Sequence, residues 1–154
     1  MKVKVTLEGM KEVLDEVRYQ SIRSDEASKE KIKDCAETIE RRTKENLREL
    51  KAWDTGHLAG SYTIDIIEGG HAAEVGSNLA YALFVEFGTR PHFPPMKALE
   101  SWARRHGFES AWPVCKAIAE KGLEARPHLF PAYEATMPEF FRELKKRLEK
   151  GGRK

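Results

Sequence analysis

A chain of 154 residues with a formal net charge of +2, 40% hydrophobic and 34% charged residues can bury about 70% of its extended surface in one domain without crosslinks. That excludes disorder throughout. Cys35 and Cys115 stand eighty positions apart, which excludes a secreted disulfide framework and a closely spaced zinc motif, so both are read as small buried apolar groups. The start, "MKVKVTLEGMKEV", has no signal-peptide block, and no apolar run approaches the ~20 residues that span a bilayer. A cytoplasmic chain with no membrane contact is expected.

In chain order, "KVKVTL" predicts a short strand with Val3, Val5 and Leu7 on one side. "MKEVLDEV" predicts a short helix over Gly9–Tyr19. "SDEASKEKIKDCAETIERRTKENLREL" is the clearest helix, with Ser24 or Asp25 as its cap. Ile32, Cys35 or Ala36, Ile39, Thr43, Asn46 or Leu47, and Leu50 form one stripe, and Glu37 with Arg41 and Glu40 with Lys44 are expected i,i+4 pairs. The narrow stripe suits a helix lying across a sheet with one side wet.

Asp54, Thr55 and Gly56 predict a turn, with Thr55 or Asp54 capping a brief helical turn through Leu58 that Gly60 ends. "SYTIDII" and "HAAEVGS" predict a β-hairpin about Glu68–Gly70. "LAYALFVEFGT" is too apolar for a solvent-facing loop, so it should sit against the sheet or a neighbour. It is read as starting with a helical turn at Ala80–Phe84 and closing through a positive φ at Gly88. Pro95 opens a helix ending at Gly107, with Met96, Leu99, and Trp102 or Ala103 inward, and a second follows Pro113 and stops at Gly122. "ARPHLFPAYEA" is read as rigid and extended. The last helix is placed from Thr136, with Glu139 completing a capping box and Tyr133, Met137, Phe140, Phe141, Leu144 and Leu148 as its stripe. The fold class is α+β: a long N-terminal helix and shorter helices on a small, mainly antiparallel sheet, as a single domain over 1–150 with a flexible basic tail at 151–154.

Chemistry is hard to find in this pattern. His57, His71, His92, His106 and His128 show no metal-ligand spacing, and neither a GxSxG elbow nor a phosphate loop is present. No cofactor is expected. Glu86 is unusual, because an unpaired charge between Val85 and Phe87 would be costly; Arg90 is its nearest candidate partner and Arg126 the other. From Arg142 to Lys154, seven basic and two acidic residues give a local +5. This suits a helix end whose cations favour the C-terminal dipole, or non-specific DNA contact by that end with Trp102, Arg104, Arg105 and His106.

Read together, "WDTGHLAGSY", "YALFVEFGTRPHFPP" and "ARPHLFPAY" resemble the minor tail components of long-tailed phages and prophages that act in head-tail joining or tail completion. The family pattern falls on Asp54, Thr55, Gly56 and Leu58, then on Ala82, Val85, Glu86, Phe87, Gly88 and Thr89, then on Arg126, Pro127, Leu129, Pro131 and Ala132. His128 departs from it, standing where phenylalanine is usual. The resemblance implies a non-catalytic virion protein in a ring at the connector or the top of the tail, made in the host bacterial cytoplasm. Other copies of itself, head-tail connector proteins and tail tube proteins would be its partners. Candidate interface or turn-fixing residues are Asp54, Thr55, Gly56, Leu58, Glu86, Phe87, Gly88, Thr89, Arg90, Arg126, Pro127 and Phe130. The alternatives are a DNA-binding accessory protein and a small hydrolase using Glu86 with a histidine.

Overall fold

The computed structural model describes residues 2–5 and 22–151. The expected helix over Gly9–Tyr19, Leu7, the Leu148 side chain and residues 152–154 of the tail lie outside what is described. Two compact units are present, Met1–Ala82 with Pro127–Lys154, and Leu83–Arg126.

In the first unit, β1 (Lys2–Val5), β2 (Tyr62–Ile67) and β3 (Ala72–Ser77) form an antiparallel sheet in the order β1-β3-β2. The register places Ile64 opposite Val75 and Val3 opposite Val75 on the other side. The central strand β3 therefore needs small side chains, and Ala72, Ala73, Val75, Gly76 and Ser77 are all buried. The hairpin turn is a 3-10 turn, Glu68–Gly70, with positive φ at all three residues. The α+β class read from the sequence holds.

Helix α1 (Ile22–Glu49) packs against β2, β3 and the last helix, α6 (Leu129–Gly151). Its stripe is as periodicity predicts: Ile32, Cys35, Ala36, Ile39, Thr43 and Leu47 are buried. Thr43 is tolerated there because its hydroxyl donates to the Ile39 carbonyl at 2.7 Å. Burial pushes the Cys35 thiol up from 9.0 to about 11. The folded state thus holds that proton more tightly than the unfolded one, so stability should fall as pH rises from 9.0 towards about 11. Urea midpoints across this range, compared with those of Cys35→Ala, measure the effect; an equal slope in both proteins would refute it.

Both ends of α1 differ from expectation. The helix is described from Ile22, so Ser24 and Asp25 lie within it and Asp25 pairs with Lys29 at 2.6 Å and with His71 Nε2 at 3.0 Å next to the hairpin turn. The Lys29 hydrogen bond holds the Asp25 carboxyl below its usual value against the opposing effect of burial, with the His71 charge adding a smaller lowering. At the C-terminus Leu50 is exposed, since Lys51 adopts a φ of 52° and ends the helix. Its N–H reaches the Arg48 carbonyl at 3.0 Å and the Ala52 N–H reaches the Leu47 carbonyl at 2.9 Å, a Schellman pattern with lysine in the position usually taken by glycine. Glu40 pairs with Lys44 at 2.7 Å as expected, but Arg41 pairs with Glu45 at 2.7 Å and Glu37 with Lys33 at 3.8 Å.

Helix α6 begins seven residues before the expected cap. Thr136 does not open the helix: its hydroxyl donates to the Ala132 carbonyl at 2.6 Å and accepts from Arg42 Nη1 at 3.0 Å. Pro131 sits in the first turn, where an N–H is not needed, and Pro138 is interior. Burial of Leu129, Ala132, Met137, Phe140 and Leu144 outweighs the hydrogen bond lost at Pro138. Arg42 to Glu139 at 3.3 Å, Lys31 to Glu143 at 3.2 Å and Arg147 to Glu30 at 2.8 Å line the α1–α6 contact.

His128, just ahead of α6, is fully buried. Its Nε2 lies 2.7 Å from the Tyr62 hydroxyl and its carbonyl accepts from Asn46 Nδ2 at 2.8 Å. The imidazole at a place where phenylalanine is usual thus has a local cause, a buried hydroxyl opposite. His128→Phe should cost about 1–3 kcal/mol, and Tyr62→Phe in the same chain should recover most of it. Additive losses in a double-mutant cycle of urea unfolding would contradict the pairing.

In the second unit, α4 (Met96–Arg105) and α5 (Trp112–Lys121) pack on one another about Ala103, Ala111 and Cys115, with Leu99, Trp102 and Val114 partly covered. Met96, expected inward, is exposed. Gly107 and Gly122 close the two helices with φ of 81° and 76°.

Candidate assembly surface

The expected helical turn at Ala80–Phe84 forms slightly later, as α3 (Ala82–Phe87), closed by Gly88 at φ 68° as expected. Its burial is inverted relative to a solvent-facing helix. Ala82 and Glu86, four apart on one side, are buried, with Glu86 only 1% exposed. Leu83, Phe84 and Phe87, adjacent on the other side by the same helical spacing, stand in solvent, with Phe84 53% and Phe87 57% exposed. Glu86 is not without a partner, and among the described residues no buried side-chain nitrogen or oxygen lacks a hydrogen bond.

After α3 the chain crosses the segment that leaves α5. Thr89 and Leu123 exchange backbone hydrogen bonds at 2.9 and 3.1 Å, and the Leu123 N–H also reaches Thr89 Oγ1 at 3.1 Å. The Arg126 N–H donates to the Val85 carbonyl at 2.8 Å, satisfying a helix-end acceptor that would otherwise need water. The crossing is close because both chains offer glycine there. A Cβ on Gly88 would strike the Leu123 carbonyl and lie 2.8 Å from the Ala125 nitrogen, while one on Gly122 would strike the Thr89 carbonyl. Arg90 and Arg126 are exposed, and the Arg90 carbonyl accepts from His92 Nδ1 at 2.9 Å.

The Asp54, Thr55, Gly56 and Leu58 group lies in the first unit. Gly56 (φ 80°) precedes α2 (His57–Gly60), and its would-be Cβ position is 3.0 Å from the Trp53 ring, so glycine is needed for both reasons. Thr55 Oγ1 accepts from the His57 N–H at a long 3.4 Å, and Leu58 is buried. Behind it, Leu79 N–H, Ser77 Oγ, Ser61 Oγ and the Leu58 carbonyl form a chain at 3.1, 2.6 and 2.7 Å that fastens the turn to β3. Tyr81 reaches His57 Nδ1 at 3.3 Å, and burial, then the charge of Asp54, raise its phenol above the usual value. Pro127 and Phe130 are both exposed, Phe130 in the first turn of α6.

Of the sequence-derived residues, Phe87, Gly88, Thr89 and Arg126 meet at the crossing, and the Asp54–Leu58 group builds a separate turn. Sequence reasoning missed Gly122 and Leu123, the other half of the crossing, and Leu83 and Phe84, the outward neighbours of Phe87. The i,i+3 spacing of Phe84 and Phe87 was a visible signal. Nothing in the sequence shows that Gly88 and Gly122 flank the same crossing.

The histidines are dispersed. His106 stacks on Trp102, with ring centroids 4.0 Å apart, while His57, His71, His92 and His128 make the separate contacts given above. Among the described residues no group of His, Cys, Asp and Glu could hold a metal ion, and no helix is long and apolar enough to cross a membrane.

Residues 1–88 match the model of the HK97-gp10-like family, described as "Bacteriophage HK97-gp10, putative tail-component". No curated protein and no solved structure matches the chain. The matched span takes in the sheet, α1, the Asp54–Leu58 turn and the whole of α3; the Arg126–Ala132 motif lies beyond it. With 88 of its 154 residues matched, the chain belongs to the HK97-gp10-like family, a family of phage tail components.

Proposed function

We propose that this protein is a non-catalytic virion structural component that acts in head-tail joining or tail completion. It does so as part of a ring of its own copies, between connector and tail tube proteins, after synthesis in the host bacterial cytoplasm. The observation that carries the reading is the inverted burial of α3: one carboxylate faces in and three large apolar side chains face water. A helix left alone in solvent gains nothing from that arrangement, whereas one that meets another protein buries its aromatic side on assembly. Ring closure needs a head-to-tail contact, in which the α3 side of one copy meets a different surface of the next. The rigid crossing beneath α3 supports this role, because a fixed backbone loses less entropy on docking.

Electron microscopy of particles made without this protein tests the role. Separate filled heads and tails are expected; normal joined particles would contradict the proposal.

A further inference from the structure

We infer that α4 and α5, with the loop between them, open together beyond the Thr89–Leu123 crossing, on a faster timescale than the remainder of the chain and without its unfolding. Three observations lead there. The buried cluster between α4 and α5 is Ala103, Ala111 and Cys115, three small side chains, with Leu99, Trp102 and Val114 only partly covered. The first unit instead buries Ile32, Ile39, Leu47, Leu129, Phe140 and Leu144. Large apolar groups are present in the second unit, but Phe84, Phe87, Phe93, Phe108 and Trp112 are all exposed, and the Phe93 and Trp112 rings meet with centroids 5.6 Å apart. The Thr89–Leu123 bridge and the Arg126–Val85 bond close this segment at its two ends, so α4 and α5 can open between them while the crossing stays intact. Cooperative units with little buried apolar surface occupy the low end of the range of local opening energies.

The two cysteines are natural probes, one in each unit. Cys115 is 0% exposed and Cys35 is 7% exposed, so static burial predicts that Cys35 reacts first with a thiol reagent. Opening of the second unit predicts the reverse. Native full-length protein would be treated with dithionitrobenzoate, labelling followed by peptide mass spectrometry, and each rate divided by that of the same cysteine in urea; because burial of the folded Cys35 thiol slows its own labelling, amide exchange in α4 and α5 is the deciding readout. Cys115 should then label at least about 100-fold faster than Cys35, with amide exchange in α4 and α5 rising alongside it and α1 and β3 remaining protected. Equal protection of the two cysteines would overturn the inference. So would labelling of Cys115 while the α4 and α5 amides stay closed, because that would mean side-chain breathing without opening of the unit. Neither result depends on the assembly reading, which is decided by particle formation.

Discussion

Gly88→Ala and Gly122→Ala should each cost about 3 kcal/mol or more, the sum of a left-handed backbone imposed on an L-residue at ~1–2 kcal/mol and overpacking at ~1–3 kcal/mol. The φ values are 68° and 76°, and in both cases the new methyl group meets backbone: the Leu123 carbonyl from Gly88, the Thr89 carbonyl from Gly122. Backbone cannot swing aside as a flexible side chain can, so relief requires separating the two segments and losing the paired hydrogen bonds between Thr89 and Leu123. The chain carries its own controls. Gly69→Ala has the same sign of φ with nothing within 4 Å, and should show the conformational cost alone. Gly60→Ala has neither problem and should be neutral or slightly stabilising. Urea unfolding followed by tryptophan fluorescence ranks all four, and Gly88→Ala or Gly122→Ala behaving like Gly60→Ala would show that the crossing is not as close as described.

The second large effect is expected on assembly. Replacing Phe84 and Phe87 together by serine removes two aromatic rings that are each more than half exposed, so the effect on folding should be small. If those rings are anchors at the contact with a neighbour, each is worth about 2 kcal/mol, and losing both should weaken the contact by 100-fold or more, about 10³-fold if additive. Glu86→Ala should behave in the opposite manner. Its carboxylate is buried and partnered, so its loss should lower stability by about 1–3 kcal/mol or more whether or not particles are being made. The two kinds of defect are distinguished by measuring urea stability of the purified protein beside particle yield.

That contrast marks what the sequence alone could tell. The run "YALFVEFGT" announced an apolar segment with one anomalous charge, and Gly88 announced its end. Glu86 and Phe87 then looked like parts of one contact surface. The helical geometry of α3 separates them, because adjacent residues differ by about 100° around the axis and only one of the two can face inward. The long helix, the hairpin and the α+β class were legible because each rests on periodicity or turn chemistry contained within a few residues. Thr136 with Glu139 was a sound local capping signal, overridden by burial of Leu129 and Ala132 upstream, which no capping rule can see. The crossing of Thr89 with Leu123, which Gly88 and Gly122 flank, was illegible for the same reason: it joins positions far apart in sequence, and each glycine read alone is only a helix stop.

The most direct test of the central claim, that the outer side of α3 is reserved for a neighbour while its inner side holds the fold, is complementation of particles lacking this protein with the Phe84→Ser, Phe87→Ser double variant. The account predicts soluble protein with wild-type urea stability and a loss of infectious particles of about 100-fold or more. Wild-type infectivity from that variant would contradict it.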